Sequence, residues 1–215
     1  MTYDEIGYWS EVRLDIVKEY ASAYSTILAA QRSPSLYHVY IDAFAGAGSH
    51  IARSTGEFKL GSPLNALLIQ PPFREYHLID LDSRKADTLR NLTKDNKTVI
   101  IYEGDCNKIL LNNIFPLVKY EDFRRALCFL DPYGLDLQRP VIQRAGKMKS
   151  IEIFLNFPVA DMNRNVLWRN PNRVNPQQAA RLTGFWGGES WKQAAYNTTG
   201  NLFGWEEKQS NEAVV

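Results

Sequence analysis

Five short runs rich in β-branched and aromatic residues, Tyr37–Phe44, Glu75–Leu81, Thr98–Tyr102, Ala126–Leu130 and Ile151–Phe157, recur along this chain, each followed by a helical stretch or its start. Strands that alternate with helices leave few folds open, because parallel neighbours must be joined by crossovers long enough to hold a helix. The pattern predicts a parallel sheet with helices on both faces. Strands in such a sheet are buried on two sides, which suits runs as apolar as these.

The segments between the runs carry helix punctuation. Residues 8–31 place Trp9, Val12, Ile16, Tyr20, Tyr24 and Ile27 at three-and-four spacing, the signature of one apolar helix face, and Ser33-Pro34 closes it. Ser62 as N-cap with Pro63 at the first helical position opens a second helix, which Pro71-Pro72 ends. Asp82 is placed to cap a third, with Leu89 and Leu92 directed at the sheet. The insertion SHIARSTGEFKL, between Gly48 and Gly61, has no clear period and reads as a loop. Beyond Phe157 the pattern becomes short helices between Pro and Gly breaks, with Asn175-Pro176 a helix start and no clear further strand. The organisation expected is an N-terminal helix over residues 1–36, a sheet core over 37–158 and a helical extension over 159–215, one domain overall.

Composition sets limits on function. With 45% hydrophobic and 23% charged residues the chain is of the folding, globular kind, and a net charge of +1 excludes a surface that is basic throughout. Cys106 and Cys128 are the only cysteines and form no CxxC pair, so they read as buried thiols in a reducing compartment. No segment approaches the roughly 20 apolar residues of a membrane span, and no leader pattern is visible, which points to the cytoplasm. His38, His50 and His77 are scattered without metal-ligand spacing; His77, on a strand, reads as structural, and only His50 lies near the glycines. The sequon Asn197 to Thr199 reads as chance.

The first run continues into YIDAFAGAG, where Asp42 is followed by Gly46 and Gly48. Glycines between a strand and a helix let backbone approach a ligand closely, but a plain turn is an equal reading of this stretch alone. A dinucleotide fingerprint would need a third glycine where Ile51 stands, and the helix arrives only at Ser62, which disfavours a nicotinamide or flavin cofactor. Position favours a ligand site. The first four runs end in, or run into, Asp42, Asp80, Asp105 and Asp131, and ligands of open α/β sheets bind outside the carboxyl ends of the strands.

This set resembles the class I S-adenosylmethionine-dependent methyltransferases, and YIDAFAGAG, GSPLNAL and FLDPYG with the aromatic N-terminal helix resemble, more narrowly, the three-Cys-motif partner family, a bacterial group of predicted methyltransferases. The resemblance covers most of residues 8–157. It implies S-adenosylmethionine as cofactor, with Asp42, Gly46 and Gly48 at its methionine end, Asp80 on the ribose, Asp105 at the adenine, and Phe44 and Cys106 among the cofactor-binding residues. The fold expected is Rossmann-like, in the order 3-2-1-4-5, with the sixth and seventh strands of the class either missing from a shortened chain or replaced by the C-terminal helices.

FLDPYG is similar to the Asp-Pro-Pro-Tyr signature of amino-group methyltransferases, which implies a catalytic set of Asp131, the Pro132 carbonyl and Tyr133; this chain has one proline where the signature has two. Read without the resemblance, the stretch is a strand ending in a turn. Asn156 at the end of the fifth run is a further candidate for the rim. Between Arg139 and Arg181 eight basic residues face only Glu152 and Asp161, a segment charge of +6, beside Trp168, Trp186, Trp191 and Trp205. Basic and aromatic side chains interleaved in this way hold nucleic acid, although tryptophans also pack helices onto sheets. The expected function is methyl transfer to an amino group of a nucleic acid. The alternative is a catalytically silent, cofactor-binding subunit of another protein. Neither a metal nor a membrane is expected.

Overall fold

The computed structural model describes residues 4–197 and 207–208. In chain order the elements are β1 (Asp4–Ile6), α1 (Tyr8–Ala29), β2 (Tyr37–Asp42), β3 (Ser49–Ala52), β4 (Phe58–Leu60), α2 (Ser62–Leu67), β5 (Glu75–Asp80), α3 (Ser83–Thr93), β6 (Val99–Glu103), α4 (Cys106–Ile109), β7 (Arg124–Leu130), α5 (Arg139–Met148), β8 (Ile151–Leu155), α6 (Val159–Asn165), α7 (Pro176–Trp186), α8 (Trp191–Ala195), β9 (Tyr196–Asn197) and β10 (Glu207–Lys208). The chain divides into two compact units, residues 1–131 with 144–155, and residues 132–143 with 156–215.

The first unit holds a five-stranded parallel sheet ordered β6-β5-β2-β7-β8, the expected 3-2-1-4-5 arrangement. Register puts Tyr40 between Tyr76 and Leu127, so residues of one parity share a face. That face forms a core with Phe129, Leu78, Phe73 and Leu89, closed by Val17 and Ala21 of α1 and Ala66 of α2. Residues of the other parity, Val39, Ile41, Ile79, Ala126, Cys128 and Leu130, are also fully buried, so the sheet is covered on both sides. Burial also pushes the Cys128 thiol up, well above its ordinary range.

Four local expectations change. The buried residues of α1 are Val17, Ala21 and Ser25, whereas Trp9, Ile16 and Ile27 are exposed and Tyr20 lies over the edge strand against Phe154. Ser25 is buried because its hydroxyl meets His38 Nε2 at 3.0 Å. The insertion after Gly48 is a β-hairpin, β3 with antiparallel β4, and β1 joins it in parallel. Leu89 faces the core, but Leu92 is 54% exposed. Ser62 is the first helical residue of α2, behind Gly61 as N-cap. Asp82 does cap α3, accepting from the Arg84 N–H at 2.9 Å, and Asn175 caps α7, accepting from the Gln177 N–H at 2.8 Å.

The second unit is built from short helices. Asp161 organises it, accepting from the Leu135 N–H at 3.2 Å and the Asn165 side chain at 2.6 Å, with Arg181 at 3.7 Å. Its only strands among the described residues are β9 and β10, a two-residue antiparallel pair that the sequence reading lacked.

Candidate functional site

The carboxyl ends of β2, β5 and β7 lie side by side, because these strands are neighbours in a parallel sheet. Asp42 ends β2 and is fully buried. Its Oδ2 accepts from the Ser62 hydroxyl at 2.6 Å, and its Oδ1 accepts from the Phe44 N–H at 3.2 Å. Burial pushes its pKa up to about 7 against these hydrogen bonds, with Asp131 and Asp80 adding to the rise. The first acid therefore ties the start of the glycine loop to the start of α2. The GSP stretch quoted above contained the signal for Ser62, in the form of a hydroxyl beside a proline-opened helix.

Asp80 ends β5. Its Oδ2 accepts from the Gly46 N–H and its Oδ1 from the Asp82 N–H, both at 2.8 Å. A carboxylate offers about four acceptor positions, so each oxygen keeps one. Gly46 and Gly48 both have positive φ, +66° and +88°. They differ in surroundings. A Cβ on Gly46 would meet nothing nearer than His50 Cε1 at 3.9 Å, whereas one on Gly48 would lie 3.1 Å from Leu89 Cδ2 and 3.2 Å from Leu64 Cγ. Gly46 thus leaves open space, and Gly48 lets α2 and α3 pack against the loop. Phe44, between them and Asp42, is half-buried.

Asp105 caps α4, its Oδ1 accepting from the Asn107 N–H and side-chain amide, both at 2.9 Å, and Cys106 behind it is buried. Both follow β6, beside β5 in the sheet. Asp131 follows β7 and is met by Arg13 of α1, Nη2 to Oδ2 at 3.2 Å. Arg13 escaped the sequence reading; a lone cation in the first turns of a helix that precedes the first core strand was the only hint. His50 also stands here, two residues past Gly48, its pKa lowered by burial, with Asp4 and Asp131 opposing and Lys85 and Arg13 assisting. His38 and His77 are buried within the sheet, as a structural role requires; His77 Nδ1 lies 3.1 Å from the Tyr102 hydroxyl.

The remaining candidates belong to the second unit. Pro132 is buried, Tyr133 is 71% exposed and Asn156 is half-buried. A Cβ on Gly134 would lie 2.9 Å from both Arg181 Nη2 and Asp161 Oδ2, so the glycine of FLDPYG is a packing requirement. Arg181 is engaged by Asp161 and Asp136, and Arg139 donates to the Trp186 carbonyl at 2.6 Å. Trp191 is buried with its indole N–H donating to Thr183 Oγ1 at 2.9 Å, Trp186 donates to Ser190 and Trp168 to the Arg164 carbonyl. Trp205 and the end of the sequon lie outside the described residues. Among the described residues no cluster of His, Cys, Asp or Glu could hold a metal, and no helix is long and apolar enough to cross a membrane.

Fold and site define the class, an α/β protein of Rossmann-like topology with carboxylates at adjacent strand ends. No protein-family model matches the chain, and no curated protein matches it. Among solved structures it is similar to the crystal structure of protein LPL1258 from Legionella pneumophila, of the family DUF519, with 16% identity and a TM-score of 0.45 over 65% of this chain and 66% of that one. The chain thus spans just under two thirds of that protein's length. The reading of the site rests on its own residues.

Proposed function

We propose that this protein is a cytoplasmic S-adenosylmethionine-dependent methyltransferase acting on an amino group of a nucleic acid, of the three-Cys-motif partner kind that its motifs resemble. The observation that carries the reading is the meeting of Asp42, Asp80 and Asp131 at one end of the sheet, around a loop that two glycines hold at positive φ. The residues fit the cofactor. Asp80 keeps acceptor positions for ribose hydroxyls, Asp105 and Cys106 follow the adjacent strand β6 at the start of α4, where an adenine would be read, and Gly46 leaves the loop open. The cofactor, when bound, supplies a methyl group on a sulfonium.

The protein's own contribution to such a transfer is placement and electrostatics. Asp131 and the Pro132 carbonyl would accept from the acceptor amine, and the exposed Tyr133 ring would stack on its base. Six of the eight cations of the basic segment, Arg144, Lys147, Lys149, Arg164, Arg169 and Arg173, have neither a side-chain hydrogen bond nor an ion pair among the described residues and remain for phosphates, whereas Arg139 and Arg181 are engaged. A silent cofactor-binding subunit is the second reading. One observation favours it: Asp131 is already held by Arg13.

Incubation with S-adenosylmethionine tritiated on the methyl group and with RNA and DNA pools tests the proposal. Label in a nucleic acid, reduced about 100-fold or more by Asp131→Ala without weaker cofactor binding, is the expected result. Cofactor binding with no label transferred to any pool would favour the silent subunit.

A further inference from the structure

We propose that Arg13 is the carboxylate-binding group of the cofactor site, and that its guanidinium alternates between the cofactor's carboxylate and Asp131. The inference rests on the reading that the glycine loop holds the amino-acid end of S-adenosylmethionine. That end carries a carboxylate, and a carboxylate taken from water needs N–H donors, most effectively the planar fork of an arginine.

Among the described residues, Arg13, Arg53, Lys59 and Lys85 form ion pairs on the elements next to the glycine loop and its hairpin. Lys85 is 2.6 Å from Asp4, Lys59 lies between Glu11 and Glu57, and Arg53 is 3.7 Å from Glu5. Arg13 differs from these. Its Nη2 lies 3.2 Å from Asp131 and donates to Ser10 Oγ at 3.3 Å, while its Nε is buried with no hydrogen-bond partner among the described residues. A guanidinium has five N–H donors, and a buried N–H without an acceptor is unfavourable, so this guanidinium keeps donor capacity that an anion entering the site would use once the side chain turns to it.

Register fixes where the Asp131 end of the ion pair stands. Asp42 pairs with Phe129, so Asp131 lies two residues further along at the same end of the sheet as the loop that begins at Asp42. His50, whose Cε1 is 3.9 Å from the Cβ position of Gly46, feels both Arg13 and Asp131 electrostatically. The ion pair therefore belongs to the glycine-loop end of the site. Asp105 and Cys106 follow β6, which is separated from β7 by two strands, β5 and β2.

The consequence is an order of binding. With the site empty of anion, Arg13 holds Asp131, and the acid that would orient the acceptor amine is engaged. When Arg13 turns its fork to a carboxylate, Asp131 Oδ2 exchanges this cation for the amine as donor. Cofactor first and acceptor second follows from one side chain.

Calorimetric titration with S-adenosylmethionine and with its decarboxylated analogue, which keeps the adenosine, sulfonium and ammonium, tests the assignment. Wild type should prefer S-adenosylmethionine by about 10- to 100-fold, the range of a charge-assisted hydrogen bond. Arg13→Met should bring the two ligands to within about twofold, and Arg13→Lys, which keeps the charge and loses the fork, should leave a preference below about fivefold. Asp131→Asn should tighten S-adenosylmethionine several-fold by removing the competing partner. A melting curve establishes that each variant is folded, and if Arg13→Met is not, the lysine and Asp131 variants decide. A wild type that binds both ligands equally, or an arginine variant that keeps the full preference, overturns the role of Arg13 and leaves the cofactor reading intact. A folded wild type that binds neither overturns both.

Discussion

Replacing Asp42 by asparagine should remove a pH dependence of stability that the wild-type fold carries. The Asp42 carboxyl is fully buried and its pKa is pushed up from 3.8 to about 7, chiefly by loss of hydration. Between those values the unfolded chain has released this proton while the folded protein keeps it. Stability rises with pH only where the unfolded state binds more protons, so here it falls as pH rises from about 4 to about 7. A shift of about three units at about 1.36 kcal/mol each makes the loss about 4 kcal/mol. For a chain of this length that is a melting-temperature difference of roughly 8–16 °C. The three histidines act in the opposite sense, since burial lowers the pKa of each and the unfolded chain takes up protons below about 6.5. They are common to both proteins and cancel in the difference. Urea melts of wild type and Asp42→Asn at half-unit steps from pH 4 to pH 8 should diverge by about 4 kcal/mol, with the wild type losing ground. Parallel curves would refute the account of Asp42 as a buried acid with a raised pKa.

The same bond predicts that Ser62→Ala lowers stability by about 1–3 kcal/mol above pH 7, where the Asp42 carboxylate would lose its hydroxyl donor, and by less near pH 4; the same melts check it. Gly48→Ala should destabilise by about 2–5 kcal/mol, combining positive φ with contact against Leu64 and Leu89, whereas Gly46→Ala should show the backbone part alone, about 1–2 kcal/mol. Leu89→Ala should lose about 2–5 kcal/mol, and Leu92→Ala, at an exposed position, less than about 0.5 kcal/mol, as denaturant midpoints will show. Asn175→Ala should cost about 1 kcal/mol through loss of the α7 cap.

The five core strands and the caps at Asp82 and Asn175 were legible in the sequence because their signals are local: apolar runs of strand length, and cap or proline residues at fixed offsets. The direction of α1 was not. Aromatic and aliphatic residues at helical spacing mark a face, but the face turned to the core is the one with Val17, Ala21 and Ser25, small side chains that a periodicity count passes over. β1 and the β3–β4 hairpin were missed because pairing of residues 4–6 with 50–52 depends on where the chain folds back, which no local pattern encodes. The site divides in the same way. Asp42 and Asp80 stood out as acids at the ends of apolar runs, and the structure brings them with Asp131 to adjacent strand ends. Their partners Ser62, Gly46 and Arg13 could be assigned only once the strands were in order.

Binding of S-adenosylmethionine at this end of the sheet is the property on which every role assigned to Asp80, Asp131 and Arg13 depends. Calorimetry and thermal shift with S-adenosylhomocysteine, on wild type and on Asp80→Asn, measure it directly. Ligand at about 100 times its dissociation constant should stabilise the wild type by roughly 2.7 kcal/mol, a rise of roughly 5–10 °C in melting temperature. The variant, with one acceptor oxygen fewer where the Gly46 and Asp82 N–H groups are already held, should bind at least about tenfold more weakly. A folded wild type that shows neither heat nor shift, or a variant that binds as tightly, would contradict the assignment of the site.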